Sequence, residues 1–243
     1  MTKRLVLLVV IFLATQTIKA QPPKKAVEAY NQAMQLVSQT KFADALAFFK
    51  TATDLYPRYY QAYLQAAITF SKLGVVRDAV FCFNKAIQLK PDYCEAYIAC
   101  GTFYKEARNK SDSALMYYEK ALKHNCASND TLNFNLGWCY NDKAQYEKGM
   151  GYLKKALEHK PDYRNAINEI SFSFRKGEKM EEGIAYFQEL YNTYKVDLAL
   201  YYVGMFYIEL KQKDKATAVL EELKKIQSKL APSMQKRIDA MKP

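Results

Sequence analysis

The stretch YQAYLQAAITFSKLGVVRDAVFCFNKAIQLKPDY, residues 60–93, decides the fold. Tyr63, Ala66, Ala67 and Phe70 recur three, four and seven residues apart, which sets them on one face of a helix. Ala79, Phe83 and Ala86 do the same for a second helix. Between them Lys72-Leu73-Gly74 supplies a turn, with Gly74 free to take the left-handed angle that ends a helix. Pro91 then closes the unit, because proline has no N–H to donate and clashes with the preceding turn. Asp92 is placed to cap the helix that follows.

The same unit recurs on both sides. Small residues fall at Ala45, Ala79, Ala114, Gly149, Gly183 and Ala216, spaced by 34, 35, 35, 34 and 33 residues. Bulky residues follow four later, at Phe49, Phe83, Tyr118, Leu153, Phe187 and Leu220. An earlier small series runs Ala33, Ala67, Gly101, Gly137, Ser171 and Gly204. Lys-Pro-Asp-Tyr stands verbatim at 90–93 and again at 160–163, which makes Asp162 a second expected cap. Small residues let two helix backbones approach, and the bulky one fills the gap above them. Six units result, over about 26–59, 60–93, 94–129, 130–163, 164–196 and 197–228. The third carries extra residues around Arg108–Asp112 and Ala127–Asn129, with Cys126 where proline is usual.

This pattern resembles the tetratricopeptide repeat family over roughly residues 26–228. The resemblance implies an all-α, right-handed superhelical solenoid of six helix–turn–helix repeats that binds proteins or peptides. A solenoid exposes an apolar face at its last repeat unless something covers it. Residues 229–243 hold a candidate capping helix, introduced by Ala231-Pro232-Ser233 and running from Met234 to Met241.

Ahead of the array, Lys3-Arg4 precede ten residues, Leu5 to Ala14, that include no charged side chain. Ten residues at about 1.5 Å each reach about half way across a bilayer core of about 30 Å. Residues 1–20 therefore read as a secretory signal peptide cut after Ala20, with 21–25 a short linker. The expectation is an exported protein, periplasmic or secreted, without stable membrane insertion after cleavage. An uncleaved anchor is the alternative. The first cysteine is Cys82, so a lipoprotein attachment site is absent at that junction. The formal charge of +11 is scattered rather than striped, which argues against nucleic acid as a partner.

Catalytic signatures are missing from the sequence: there is no phosphate loop, no nucleotide-binding glycine fingerprint, no His-Glu-x-x-His and no Gly-x-Ser-x-Gly. His124 and His159 both fall at the end of a second helix, where a cation meets the negative end of the helix dipole. No enzyme, cofactor or metal is expected. Cys82, Cys100 and Cys139 read as small apolar fillers. Cys94 begins the third unit's first helix and Cys126 ends its second, so an antiparallel pair brings them together. In an oxidising compartment they are a candidate disulfide.

In the family, the second, fifth, ninth and twelfth positions of each repeat form the inner wall. Carried onto this chain, they place Tyr30, Met34, Leu64, Ile68, Ile98, Phe134, Trp138, Phe172, Tyr201 and Met205 in a candidate protein-binding groove. Each first helix is then apolar on two opposite sides, which marks a helix that is buried or makes contacts. Two readings follow. Either the stripe is an apolar groove for a partner segment, or superhelical curvature buries it within the array. Residues of the C-terminal-carboxylate clamp known in the family are absent: Tyr30 and Met34 replace its first pair, and Glu95 and Ala99 its basic pair. The expected function is a protein-interaction scaffold in a bacterial envelope. The alternative is a structural subunit of a larger envelope complex that uses its outer faces.

Overall fold

The computed structural model describes residues 21–106, 111–124 and 126–241. The leader, Ala107–Lys110, Asn125 and the last two residues lie outside these. Every regular element among the described residues is a helix, and the first twelve pair off in order. The pairs are α1 (Lys24–Ser38) with α2 (Phe42–Leu55), α3 (Tyr60–Lys72) with α4 (Val76–Leu89), and α5 (Cys94–Glu106) with α6 (Ser111–Lys123). They continue as α7 (Asp130–Asp142) with α8 (Tyr146–His159), α9 (Arg164–Lys176) with α10 (Met180–Tyr194), and α11 (Asp197–Glu209) with α12 (Lys213–Lys225). A single helix, α13 (Ala231–Asp239), follows. Each helix packs on the next, and the first helices of adjacent units also touch from α3 through α11. The chain is thus an all-α solenoid.

The packing uses the two small series and the bulky one. Ala45, Ala79, Ala114 and Ala216 have no exposed surface, and Phe49, Phe83, Tyr118, Leu153, Phe187 and Leu220 are all buried. Where the earlier small series carries glycine, the bulky partner moves in. A Cβ on Gly101 would strike the ring of Tyr118, and one on Gly137 would strike Leu153 Cγ.

Turns within units share one geometry. The fifteenth position is left-handed in every unit where it is described, at Thr40 (φ 60°), Gly74 (73°), Ala144 (56°), Glu178 (57°) and Lys211 (59°). The residue after it donates its N–H back to the carbonyl five earlier, as in Val75 to Phe70 at 2.9 Å and Gln145 to Tyr140 at 2.8 Å. That bond satisfies a carbonyl the helix end leaves open. Glycine is therefore present at only one of five positions where the backbone favours it.

Turns between units correct one expectation. Tyr59, Tyr93 and Tyr163 donate to the carbonyls of Tyr56, Lys90 and Lys160 at 2.9, 3.1 and 3.0 Å, each closing a four-residue turn with proline second. Such a turn places Arg58, Asp92 and Asp162 third and the tyrosine at the helix entrance. Asp162 does not cap α9; Tyr163 occupies the N-cap without a side-chain bond. Asn129 fills the equivalent place before α7, and its Oδ1 accepts from Leu132 N at 2.9 Å.

The ends also differ from the sequence reading. Helix α1 starts at Lys24 and takes in the last two residues of the expected linker, because Pro23 (φ −55°, ψ 147°) immediately precedes it as N-cap. Helix α13 starts at Ala231 rather than Met234. Pro232 sits in its first turn, where no intrahelical N–H is needed. Met234 and Ile238 are buried, and α13 covers α11 and α12.

Cys94 and Cys126 are disulfide-bonded, with S–S 1.98 Å and Cα–Cα 5.7 Å. Beside the bridge, Tyr97 stacks on His124 at 5.0 Å, and its hydroxyl is 3.1 Å from Nε2. His159 closes α8 and pairs through Nδ1 with Asp130 Oδ1 at 3.0 Å. Cys82, Cys100 and Cys139 are free and buried.

Candidate functional site

The inner stripe divides by position. Leu64 (2% exposed), Ile98 (8%) and Met205 (6%) are buried and offer little to a partner. Neighbouring first helices lie against each other, so side chains near the fifth position fall into the seam; α11 is covered by both α9 and α13. Tyr30 and Phe134 are half-buried beside the tyrosine that ends their own unit. Tyr30 lies 5.2 Å from Tyr59, and Phe134 lies 5.1 Å from Tyr163. Met34, Ile68, Trp138 and Tyr201 are also half-buried. Phe172 is 40% exposed, the most open of the ten. Curvature thus closes part of the stripe, leaves the ninth positions of units one, two and four half-buried, and leaves that of unit five open.

Trp138 reaches that surface from the middle of α7, which is buried on most other sides. Leu132, Leu136, Cys139 and Tyr140 carry the packing of α7, and Trp138 is held only partly against them. Phe172 meets Tyr146 edge-on at 6.1 Å and is approached by Lys176 at 5.9 Å.

A cation lies beside these rings. Lys105, at the twelfth position of unit three, places Nζ 5.6 Å from the Phe134 ring and 5.3 Å from the Trp138 ring. It donates to Asn135 Oδ1 at 2.7 Å. Burial pulls this ammonium below the usual lysine range. Arg175, the corresponding residue of unit five, pairs with Glu209 Oε1 at 2.7 Å and lies over Tyr202 and Phe206. Sequence reasoning placed Lys105 on the inner wall but did not choose it. The signal was a cation at a twelfth position beside aromatic inner-wall residues, a feature Lys105 shares with Arg175.

Below the rings, a polar network fixes unit four on unit five. Asn141 Nδ2 donates to Glu169 Oε2 at 3.0 Å and to Glu169 O at 3.2 Å, while Ser173 Oγ donates to Asn141 Oδ1 at 2.8 Å. This surface combines ring faces, the ammonium groups of Lys105 and Lys176, and a hydrogen-bonded polar network. Among the described residues no cluster of His, Cys, Asp or Glu is arranged to hold a metal ion.

Three stretches, residues 60–93, 131–163 and 198–228, match sequence profiles of the tetratricopeptide repeat. The chain is a tetratricopeptide repeat protein. The human anaphase-promoting complex subunit 7 is 28% identical over 145 residues, which cover 60% of this chain and 26% of that relative. The tetratricopeptide chain therefore spans about a quarter of that protein's length. Among solved structures, PilW, described as a widely conserved type IV pilus biogenesis factor, superposes with a TM-score of 0.62 at 22% identity. The match covers 83% of this chain and 93% of that one. YrrB, described as a tetratricopeptide repeat protein with an unusual peptide-binding site, superposes at 0.56 with 19% identity, covering 72% and 89%. These likenesses concern the fold.

Proposed function

We propose that this protein is a non-catalytic interaction scaffold that binds an apolar or amphipathic partner segment along its inner wall. The observation that carries the reading is the aromatic inner wall at Trp138 and Phe172, half-buried at the first and open at the second. Leaving a large apolar side chain wet forgoes roughly 1.5–3 kcal/mol of burial, and contiguous exposed apolar surface usually marks a contact. The peptide-binding description of YrrB supports the same use of this fold. The reading is tested with a photo-crosslinking amino acid placed at Phe172 and, separately, at Phe81 on α4, in cells of the source organism. Partner adducts at 172 and not at 81 are the expected result. Adducts at 81 alone overturn it.

That second outcome belongs to the alternative, a structural subunit held through its outer faces. Phe81 is 57% exposed, beside a hollow of about 500 Å³ lined by Leu46, Ala47, Tyr63, Phe70 and Cys82.

The site of action we propose is the cell envelope or beyond. The Cys94–Cys126 bridge fits an oxidising compartment, and the leader over 1–20 reads as an export signal. Among the described residues no helix is long and apolar enough to cross a membrane. The mature protein is expected to begin at Gln21; a chain that keeps Lys3 in the membrane fraction overturns export with cleavage.

A further inference from the structure

The twelfth positions of units three and five treat their cations differently. Arg175 is neutralised by Glu209, the thirteenth residue of the next unit. Asp142 stands at the thirteenth position after Lys105, but its Oδ2 accepts from Ser111 Oγ at 2.6 Å. Among the described residues no carboxylate forms an ion pair with Lys105, although Glu106 and Glu169 act on it from beyond ion-pair distance, and its one hydrogen-bond acceptor is the neutral amide of Asn135. A half-buried ammonium over two rings, with one of three N–H groups used, is poised for an anion. The apolar wall continues on both sides of it, through Ile68 in one direction and Phe172 in the other. A chain lying along the wall would therefore pass Lys105 with its interior and not its end.

We propose that Lys105 receives the carboxylate of an aspartate or glutamate side chain within the bound segment, while flanking apolar side chains of that segment lie on Trp138 and Phe172. The inference rests on the inner wall being the binding surface. Without the leader's Lys3, Arg4 and Lys19, the remaining 33 Lys and Arg still exceed the 25 Asp and Glu, which favours an acidic partner on approach. Aromatic faces beside the ammonium suit apolar groups that exclude water from the pair, which strengthens it.

The probe is a displayed library of random peptides, selected on the full chain, with binders resynthesised in C-terminally amidated form. Binders that lose affinity on Trp138→Ala and Phe172→Ala are expected to carry an acidic residue between apolar ones. Replacing that residue by its amide should weaken binding to the wild type about tenfold, the scale of one charge-assisted hydrogen bond. Lys105→Gln should abolish this discrimination and Lys105→Arg should keep most of it, with melting curves confirming that both variants fold. Groove binders without an acidic preference, or ones that need a free C-terminal carboxylate, overturn the inference and leave the groove standing. Binders indifferent to Trp138→Ala and Phe172→Ala, or no binders at all, overturn both.

Discussion

The Oδ1 of Asn141 occupies the place where a Cβ on residue 149 would stand, so Gly149 and Asn141 require each other. The glycine lets α8 approach α7, and the amide it admits ties α7 to Glu169 and Ser173 of α9. Gly149→Ala should lower unfolding free energy by about 1–3 kcal/mol, the usual cost of overpacking. Gly151, two residues on in α8, has no atom within 4 Å of its Cβ position. Gly151→Ala should stabilise by about 0.5–1 kcal/mol through helix propensity. Urea unfolding of the two variants checks the pair; equal signs would contradict the packing described.

The left-handed fifteenth positions make a second series. A non-glycine residue held there costs about 1–2 kcal/mol. Ala144→Gly and Lys211→Gly should each raise stability, by about half a kcal/mol or more after the entropy that glycine gains on unfolding. Gly74→Ala should lower it by about 1 kcal/mol. Thermal melts read all three.

Unit three is closed by a bridge spanning 32 residues. Removing it as Cys94→Ser with Cys126→Ser should cost roughly 3–4 kcal/mol through the freed unfolded chain. Guanidinium unfolding with and without reductant measures this on one sample.

The three free thiols behave differently. Burial pushes Cys82 up to about 11 and Cys100 and Cys139 up to about 12, from an ordinary 9.0. They keep their protons in the folded state at a pH where the unfolded chain has lost them. Stability from this source is full below pH 9 and falls as pH rises from 9 towards 12. Native protein at pH 8 to 9 should resist iodoacetamide at all three, and denatured protein should react; mass spectrometry of the adducts decides it.

Phe172→Ala is the cleanest probe of the groove, because its ring carries little of the core. Affinity for a groove-selected peptide should fall by tens of fold, or about 2 kcal/mol, while the melting temperature barely moves. Ala156, with no exposed surface, is the counterpart: Ala156→Leu should cost about 1–3 kcal/mol of stability and spare binding. Calorimetry and isothermal titration on both variants separate wall from core.

Periodicity alone carried the helix pairs, the small and bulky series and the order of the units, because each is a local pattern repeated often enough to expose its period. The meeting of Cys94 and Cys126 was also legible, since the two ends of a short antiparallel pair must adjoin. Glycine was legible as a turn residue only at Gly74. Thr40, Ala144, Glu178 and Lys211 adopt the same angle because the helices they join impose it, and nothing in their side chains announces that.

The inner wall was legible as a stripe and illegible as a surface. Which apolar residues line it follows from spacing along one helix, and spacing is a property of the sequence. Whether Leu64 and Ile98 are wet or dry depends on how closely the next helix approaches, which is set by side chains a whole repeat away. The same holds for Lys105: the sequence names the cation and several carboxylates. Only the packing of α6 against α7 brings Asp142 to Ser111, and so leaves that ammonium without an ion-pair partner.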